Sequence, residues 1–283
     1  MVAWLILAFL SLVWGSSFIL IKKALIGLSP IHVALLRVFV SFLAFSPFII
    51  PRLKQIQKKH WLYLVLAGLL GNGFPAILYA VAQTQVLSAT AGILNALTPI
   101  FALLVGVLIF RSEIKGKQIW GTMIGFIGAS MLFLRDMDWS SFNLYTLLIV
   151  IATLCYGLSA NIVQHKLSDL KPLVIGSTSF VVIGFLSMGG LLYYPVENIG
   201  DPEVYRSIMY VVVLSILSTF LATILFYRLV QISDALFASS VSYIVPIVAL
   251  IWGLIDGELL GLMHLIALVL VLAGVYLIRR RRT

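Results

Sequence analysis

The sequence predicts an all-α membrane protein with ten transmembrane helices in two inverted five-helix repeats. Three observations predict it. Apolar stretches long enough to cross a bilayer recur along the whole 283-residue chain. Basic residues crowd alternate connections between those stretches. Glycines and prolines of the first half return in the second at a nearly constant displacement.

Hydrophobic residues make up 62% of the chain and charged residues 10%, too few to cover a water-facing surface. The net charge of +9 is no nucleic-acid footprint, because the cations sit at segment ends and not in a patch among aromatics. Cys155 is the single cysteine, which excludes an intramolecular disulfide and a cysteine-based metal site. His32, His60, His165 and His264 are widely scattered, so neither a metal nor a cofactor is expected.

The apolar segments are 2–21, 30–50, 61–82, 88–110, 117–134, 142–164, 172–194, 205–229, 233–255 and 259–278. The first has no basic start and no A-x-A cleavage site, so it reads as a retained helix and not a leader. Connection 51–60 carries Arg52, Lys54, Lys58 and Lys59, whereas connection 195–204 carries Glu197, Asp201 and Glu203. No Ser/Gly-rich linker separates the segments.

With a cytoplasmic N-terminus, the inner connections hold those four cations plus Arg111, Lys115, Lys117, Lys166, Lys171, Arg228 and Arg279 to Arg282. The outer ones hold Lys22, Lys23, Arg135 and Arg206. That asymmetry puts both termini on the cytoplasmic side of a plasma (inner) membrane. Trp139, Tyr193 and Tyr194 then mark the outer interface and Trp61 the inner. The Arg279–Arg282 tail reads as an anchor near anionic lipid.

A shift of 142 residues lays Gly15, Ser17 and Pro30 on Gly157, Ser159 and Pro172. A shift of 147 lays Ala91, Pro99 and Gly106 on Ala238, Pro246 and Gly253. The repeats are assigned to 1–138 and 139–283. Five helices per half is an odd number, so the halves insert with opposite orientation. Secondary carriers use this plan and bind between the halves near the midplane.

Several stretches resemble the EamA family of the drug/metabolite transporter superfamily. The first segment carries Trp14-Gly15-Ser16-Ser17-Phe18, then Lys22. The second carries Arg37 and Phe39 after Pro30, with Val38 interposed where the family pattern has R-F. The fourth reads Leu97-Thr98-Pro99-Ile100-Phe101, followed by Glu113, Gly121 and Gly128. The second half has Val245-Pro246-Ile247, Glu258 and Gly274. The resemblance covers nearly the whole chain. It implies a ten-helix carrier, often an exporter of metabolites or amino acids, that works by alternating access.

Polar groups in a span turn away from lipid, towards neighbouring helices or a cavity. Asn72, Ala76, Tyr79 and Gln83 share one helical face, a cavity wall or else interhelical glue. Asn95 and Thr98 precede Pro99, and Ser239, Ser242 and Tyr243 precede Pro246 in the matching place. A proline frees a carbonyl and permits bending, so Pro99 and Pro246 are candidate gating hinges. Asn95 and Tyr243 read as cavity-lining, and Ser242 as packing. Trp14 with Ser17, and Tyr156 with Ser159, offer one aromatic and one hydroxyl from each half, to stack on a substrate or to fill the core. Ser215, Ser218 and Ala222 form a small-residue face that reads as packing, and Gly121, Gly125 and Ala129 another.

Arg37 is the only charge well inside a span, about 10 Å from the outer end at 1.5 Å per residue. It reads as an anion contact or as a structural bond to helix-end carbonyls. No Asp or Glu lies deep in any segment, which argues against a carboxylate proton relay. Glu113 and Glu258 read as helix-end caps or partners of loop cations.

A membrane-embedded enzyme would need a His/Asp cluster or a Ser–His pair, and a channel a charge ring or a filter loop. The spans offer neither, so the chain is not expected to be an enzyme. A non-transporting receptor or scaffold is the other alternative. The expected partners are a small-molecule substrate and the lipid bilayer, with no nucleic acid, for a monomer or a homodimer. The expected substrate is a neutral or zwitterionic, partly apolar solute such as an amino acid.

Overall fold

A computed structural model describes residues 1–86, 88–131, 144–255 and 262–279. Arg135, Trp139, Glu258 and the last four residues lie outside the described residues, as does the side chain of His264. The described chain is all-helical, with no strand.

Helix α1 is Val2–Gly27 and α2 is Pro30–Leu53. Ser29 starts α2 by accepting the His32 amide, and Pro30 occupies the first turn, where its missing N–H costs nothing. Helix α3, Lys58–Ala82, contains a π-helical turn over Leu69–Gly73. The cause is local. Pro75 has no N–H for the Gly71 carbonyl four residues back, and its ring crowds that carbonyl, so the helix widens there.

Helices α4 (Ser88–Asn95) and α5 (Thr98–Leu108) come from a single apolar segment, broken at Ala96 and Leu97, just before Pro99. Helix α6 is Gly116–Met131 and α7 is Leu144–Lys166. Helix α8, Pro172–Tyr193, and α9, Pro202–Ile232, both begin on a proline. Asp201 caps α9 through the Glu203 amide at 2.7 Å. Helix α9 carries the second π-helical stretch, Leu214–Leu221. Helix α10 is Ala235–Ser239, capped by Asp234. A break at Ser240 leads into α11, Val241–Ile255, and α12 is Leu262–Ile278. Pro246 lies inside α11, whereas Pro99 opens a helix, so the two prolines bear differently on their breaks.

Among the described residues, α1, α2, α3, α7, α8 and α9 are long and apolar enough to cross a membrane. Shorter apolar helices accompany them, among them α5. Tyr193 and Tyr194 are exposed beyond α8, and Trp61 near the start of α3.

Small residues set the close approaches. On α2, Phe42 lies over Gly184 and Phe45 over Gly176 of α8, and a Cβ at Gly176 would stand 3.0 Å from the Phe45 ring. A Cβ on Gly121 of α6 would meet the Gly274 carbonyl of α12 at 2.7 Å, and one on Gly128 would meet Leu270 at 2.8 Å. The α6 glycine stripe is therefore used inside the chain, against α12.

Away from the bilayer core, Asp169 in the α7–α8 connection accepts from His60 Nε2 at 2.9 Å and lies 3.4 Å from Lys59 Nζ. The Gln57 amide donates to His60 Nδ1 at 3.1 Å, which makes Nε2 the protonated nitrogen facing Asp169. This clasp ties the start of α3 to the α7–α8 connection.

Candidate functional site

A cavity of about 840 Å³, counting the part open to the outside, lies among α1, α2, α3, the α4–α5 break, α7, α9 and the α10–α11 break. Eight sequence-predicted residues line it together: Trp14, Ser17, Arg37, Asn72, Tyr79, Asn95, Tyr156 and Ser159. They come from five separate stretches of chain, so the helical-face reasoning converges on one space.

Arg37 is the only charged residue among the lining residues. Its Nε donates to Thr219 Oγ1 at 2.8 Å. The terminal guanidinium nitrogens have no hydrogen-bond partner among the described residues. Beside it, Tyr79 donates to Asn95 Oδ1 at 2.8 Å, and Thr98 Oγ1 donates to the Asn95 carbonyl at 2.7 Å. The Tyr79 and Tyr156 rings stack with centroids 6.1 Å apart. That aromatic pair, the Asn95 amide and the cation form one corner.

Trp14 contributes in two ways. Its Nε1 donates to the Ser218 carbonyl at 2.9 Å, and its ring lies 5.4 Å from that of Phe226. The π-helical stretch of α9 exposes carbonyls that other helices reach. Ser218 O takes Trp14, and Ser215 O takes the Ser41 hydroxyl at 3.2 Å. At the π turn of α3, Ser159 donates to the Ala67 carbonyl at 3.2 Å, and Thr223 donates to Asn72 Oδ1 at 3.4 Å. Both irregular stretches flank the cavity, where non-ideal helix backbone is tolerated.

Two predicted residues lie elsewhere. Tyr243 is fully buried, donates to the Thr122 carbonyl at 2.9 Å and packs its ring against Gly125 of α6. The correction follows from helical phase. Ser239 and Ser242 take the cavity face, and the next residue points about 100° away. Gln83 follows the last residue of α3, about 16 Å along the axis from Asn72 at 1.5 Å per residue. Its Nε2 donates to the Phe18 carbonyl at 3.4 Å. Pro99 stands beside the α4–α5 break, Pro246 lies within α11, and neither lines the cavity.

The residues missed in the sequence include Thr223, Phe226 and Tyr227, together with Ser218 and Ser242, which read as packing, and Ser239, which precedes Pro246 without an assigned role. The Ser215, Ser218, Ala222 stripe pointed to this face, and carrying it one more turn reaches Phe226.

A second space of about 500 Å³ lies further along the same helices. Ala102 follows Thr98 by one turn on α5, and Ala235 precedes Ser239 by one turn on α10. Asn161 stands at its boundary and donates to the Ala102 and Gly157 carbonyls, both at 2.9 Å. Among the described residues, no group of three His, Cys, Asp or Glu side chains comes together to hold a metal.

The model of the EamA-like transporter family matches residues 2–134 and again 143–280. The chain belongs to this family. This EamA-like protein is thus a multi-pass membrane protein of a transporter family. It is 27% identical over 282 residues to an uncharacterized transporter of Archaeoglobus fulgidus, covering 99% of each chain. It is 26% identical over 297 residues to a probable amino-acid metabolite efflux pump of Salmonella typhimurium, covering 96% of this chain and 94% of that one. A solved structure, described only as a crystal structure of a protein, superposes with a TM-score of 0.74 at 16% identity. It covers 97% of this chain and 96% of that one, a likeness of fold alone.

Proposed function

We propose that this EamA-like protein is a secondary transporter that exports small zwitterionic or neutral, partly apolar metabolites such as amino acids. The observation that carries the reading is a cavity with one cation, Arg37, among amide, hydroxyl and aromatic groups. The guanidinium suits a carboxylate, and Trp14, Phe18 and Phe226 suit an apolar body. The name of the Salmonella typhimurium relative points the same way.

Transport follows the alternating-access scheme, with ten helices in two inverted repeats, 1–138 and 139–283. Three observations support the repeat. The family model matches twice. Glycines and prolines recur at matching displacements. The π-helical stretches begin at Leu69 and Leu214, a separation of 145 residues that falls between the two sequence shifts. Asn161 of the second half bonds the Ala102 carbonyl of the first, which suits it to a gate between the halves. The basic inner connections support cytoplasmic termini in a plasma membrane. The cavity is lined within one chain, which suits a monomer or a homodimer alike.

The test is counterflow in proteoliposomes over amino acids, nucleosides, sugars and organic anions. Flux of amino acids or related zwitterions is expected. Exclusive flux of highly charged anions would overturn the substrate class. Absence of any flux, together with turnover of a lipid, would overturn the transporter reading.

A further inference from the structure

The Tyr227 hydroxyl is the part of the cavity that the account above leaves unexplained. Tyr227 is 2% exposed, its side chain lines the cavity, and its oxygen has no hydrogen-bond partner among the described residues. A buried hydroxyl left unpaired costs about 1–3 kcal/mol and is uncommon in native proteins. Ser159 and Ser179 stand near it, but their hydrogens go to the Ala67 and Gly176 carbonyls, so neither donates to the Tyr227 oxygen and its lone pairs stay free.

The backbone opposite approaches closely enough to exclude a side chain. A Cβ at Gly71 would lie 2.6 Å from Ser159 Oγ and 3.5 Å from the Tyr227 oxygen. Gly71 belongs to the π turn, so the widened backbone and the missing side chain together make a cradle beside the hydroxyl.

The bonding pattern indicates what fits there. Ser17, Thr98, Ser159, Ser218, Thr223 and Ser239 line the cavity, and each donates its single hydrogen to a protein acceptor. What these hydroxyls leave available is lone pairs. The wall around Gly71 therefore favours a hydrogen-bond donor, and the Trp14 and Phe226 rings of the same cavity add electron-rich faces. No Asp or Glu is among the lining residues, so neutral oxygens must meet any positive charge.

We propose that Tyr227, with Ser159 and Thr223 around the Gly71 cradle, forms an ammonium-recognition subsite for a solute whose carboxylate faces Arg37. The subsite makes the cavity selective for zwitterions over simple monocarboxylates. The inference rests on the transporter reading above and adds the recognition of the amino end.

The test compares L-leucine with 4-methylpentanoate, which has the same carbon skeleton without the amino group. Binding of each to the full-length protein in nanodiscs is measured by calorimetry. Wild type is expected to prefer leucine. Tyr227→Phe, which removes one oxygen, is expected to weaken leucine about fivefold more than 4-methylpentanoate, the ratio that one hydrogen bond of ordinary net strength gives. Gly71→Ala, which fills the cradle, is expected to produce the same selective loss, and it carries the test if Tyr227→Phe does not fold. Equal losses for both ligands, or no loss for either, would overturn the subsite and leave the transporter reading standing. A wild type that binds neither ligand would overturn the amino-acid reading and the subsite with it.

Discussion

Arg37 on α2 donates its Nε–H to Thr219 Oγ1 on α9 at 2.8 Å. The one cation of the cavity is thereby tethered to the π-helical stretch, with the rest of its fork left for a ligand. A charge within a span costs up to about 3 kcal/mol at the centre of an isolated helix, so its presence beside a cavity argues for a charged or polar partner.

Arg37→Ala is therefore expected to weaken binding of 4-methylpentanoate by about ten- to a hundredfold, the range for hydrogen bonds to a charged group. Arg37→Lys keeps the charge but not the planar fork, and should fall between wild type and Arg37→Ala. Calorimetry in nanodiscs measures this, and thermal melts of the same samples report any loss of fold.

Tyr243→Phe should behave differently. Its hydroxyl bonds the Thr122 carbonyl inside the protein and faces no cavity. The variant should lose about 1 kcal/mol of stability, a typical net hydrogen bond, with substrate affinity unchanged. Melts and binding isotherms together separate the two effects.

Much of the cavity was legible in the sequence, because regular helices convert spacing into faces. Asn72 and Tyr79 on α3 lie two turns apart and reach the same wall. Trp14, Tyr156 and Ser159 followed from the displaced repeat. The failures cluster where the helix is irregular. The π-helical stretch over Leu214–Leu221 shifts the phase of everything after it, and no proline within it announces the change. Thr223 and Tyr227 lie beyond that shift, whereas Phe226 continues the Ser215, Ser218, Ala222 stripe. A continuous helix would set Tyr243 one turn after Ser239 on the cavity face, and the break at Ser240 turns it away.

Gly125→Leu tests the packing of α6. A Cβ there would lie 2.7 Å from the Tyr243 ring, with the α12 backbone at Gly274 close beside it. Overpacking of a tight core costs about 1–3 kcal/mol, and this contact leaves little room to relax. The variant should melt well below wild type and express poorly, as thermal unfolding in detergent would measure.

The Asp169 clasp predicts a pH dependence. Burial pushes the Asp169 carboxyl up, but the hydrogen bond from His60, then that from its own backbone amide, the His60 charge and the Lys59 bond, reverse this and hold it below the usual carboxylate range. A depressed folded value stabilises the protein above the unfolded carboxylate value of about 3.9, and the gain is lost as pH falls through the folded value. Asp169→Asn should therefore melt slightly below wild type at pH 6, with the gap closing as pH falls below the usual carboxylate range. The Asp169 side chain is 51% exposed, so the difference should stay within about 1 kcal/mol.

Trans-stimulation tests the central claim most directly. Proteoliposomes preloaded with unlabelled L-leucine are given labelled L-leucine outside, and the initial rate is compared with that of empty-lumen vesicles. A carrier that exposes one cavity alternately to each side predicts saturable uptake, faster in the preloaded vesicles and abolished by Arg37→Ala. Uptake that does not saturate and is indifferent to preloading would contradict the account.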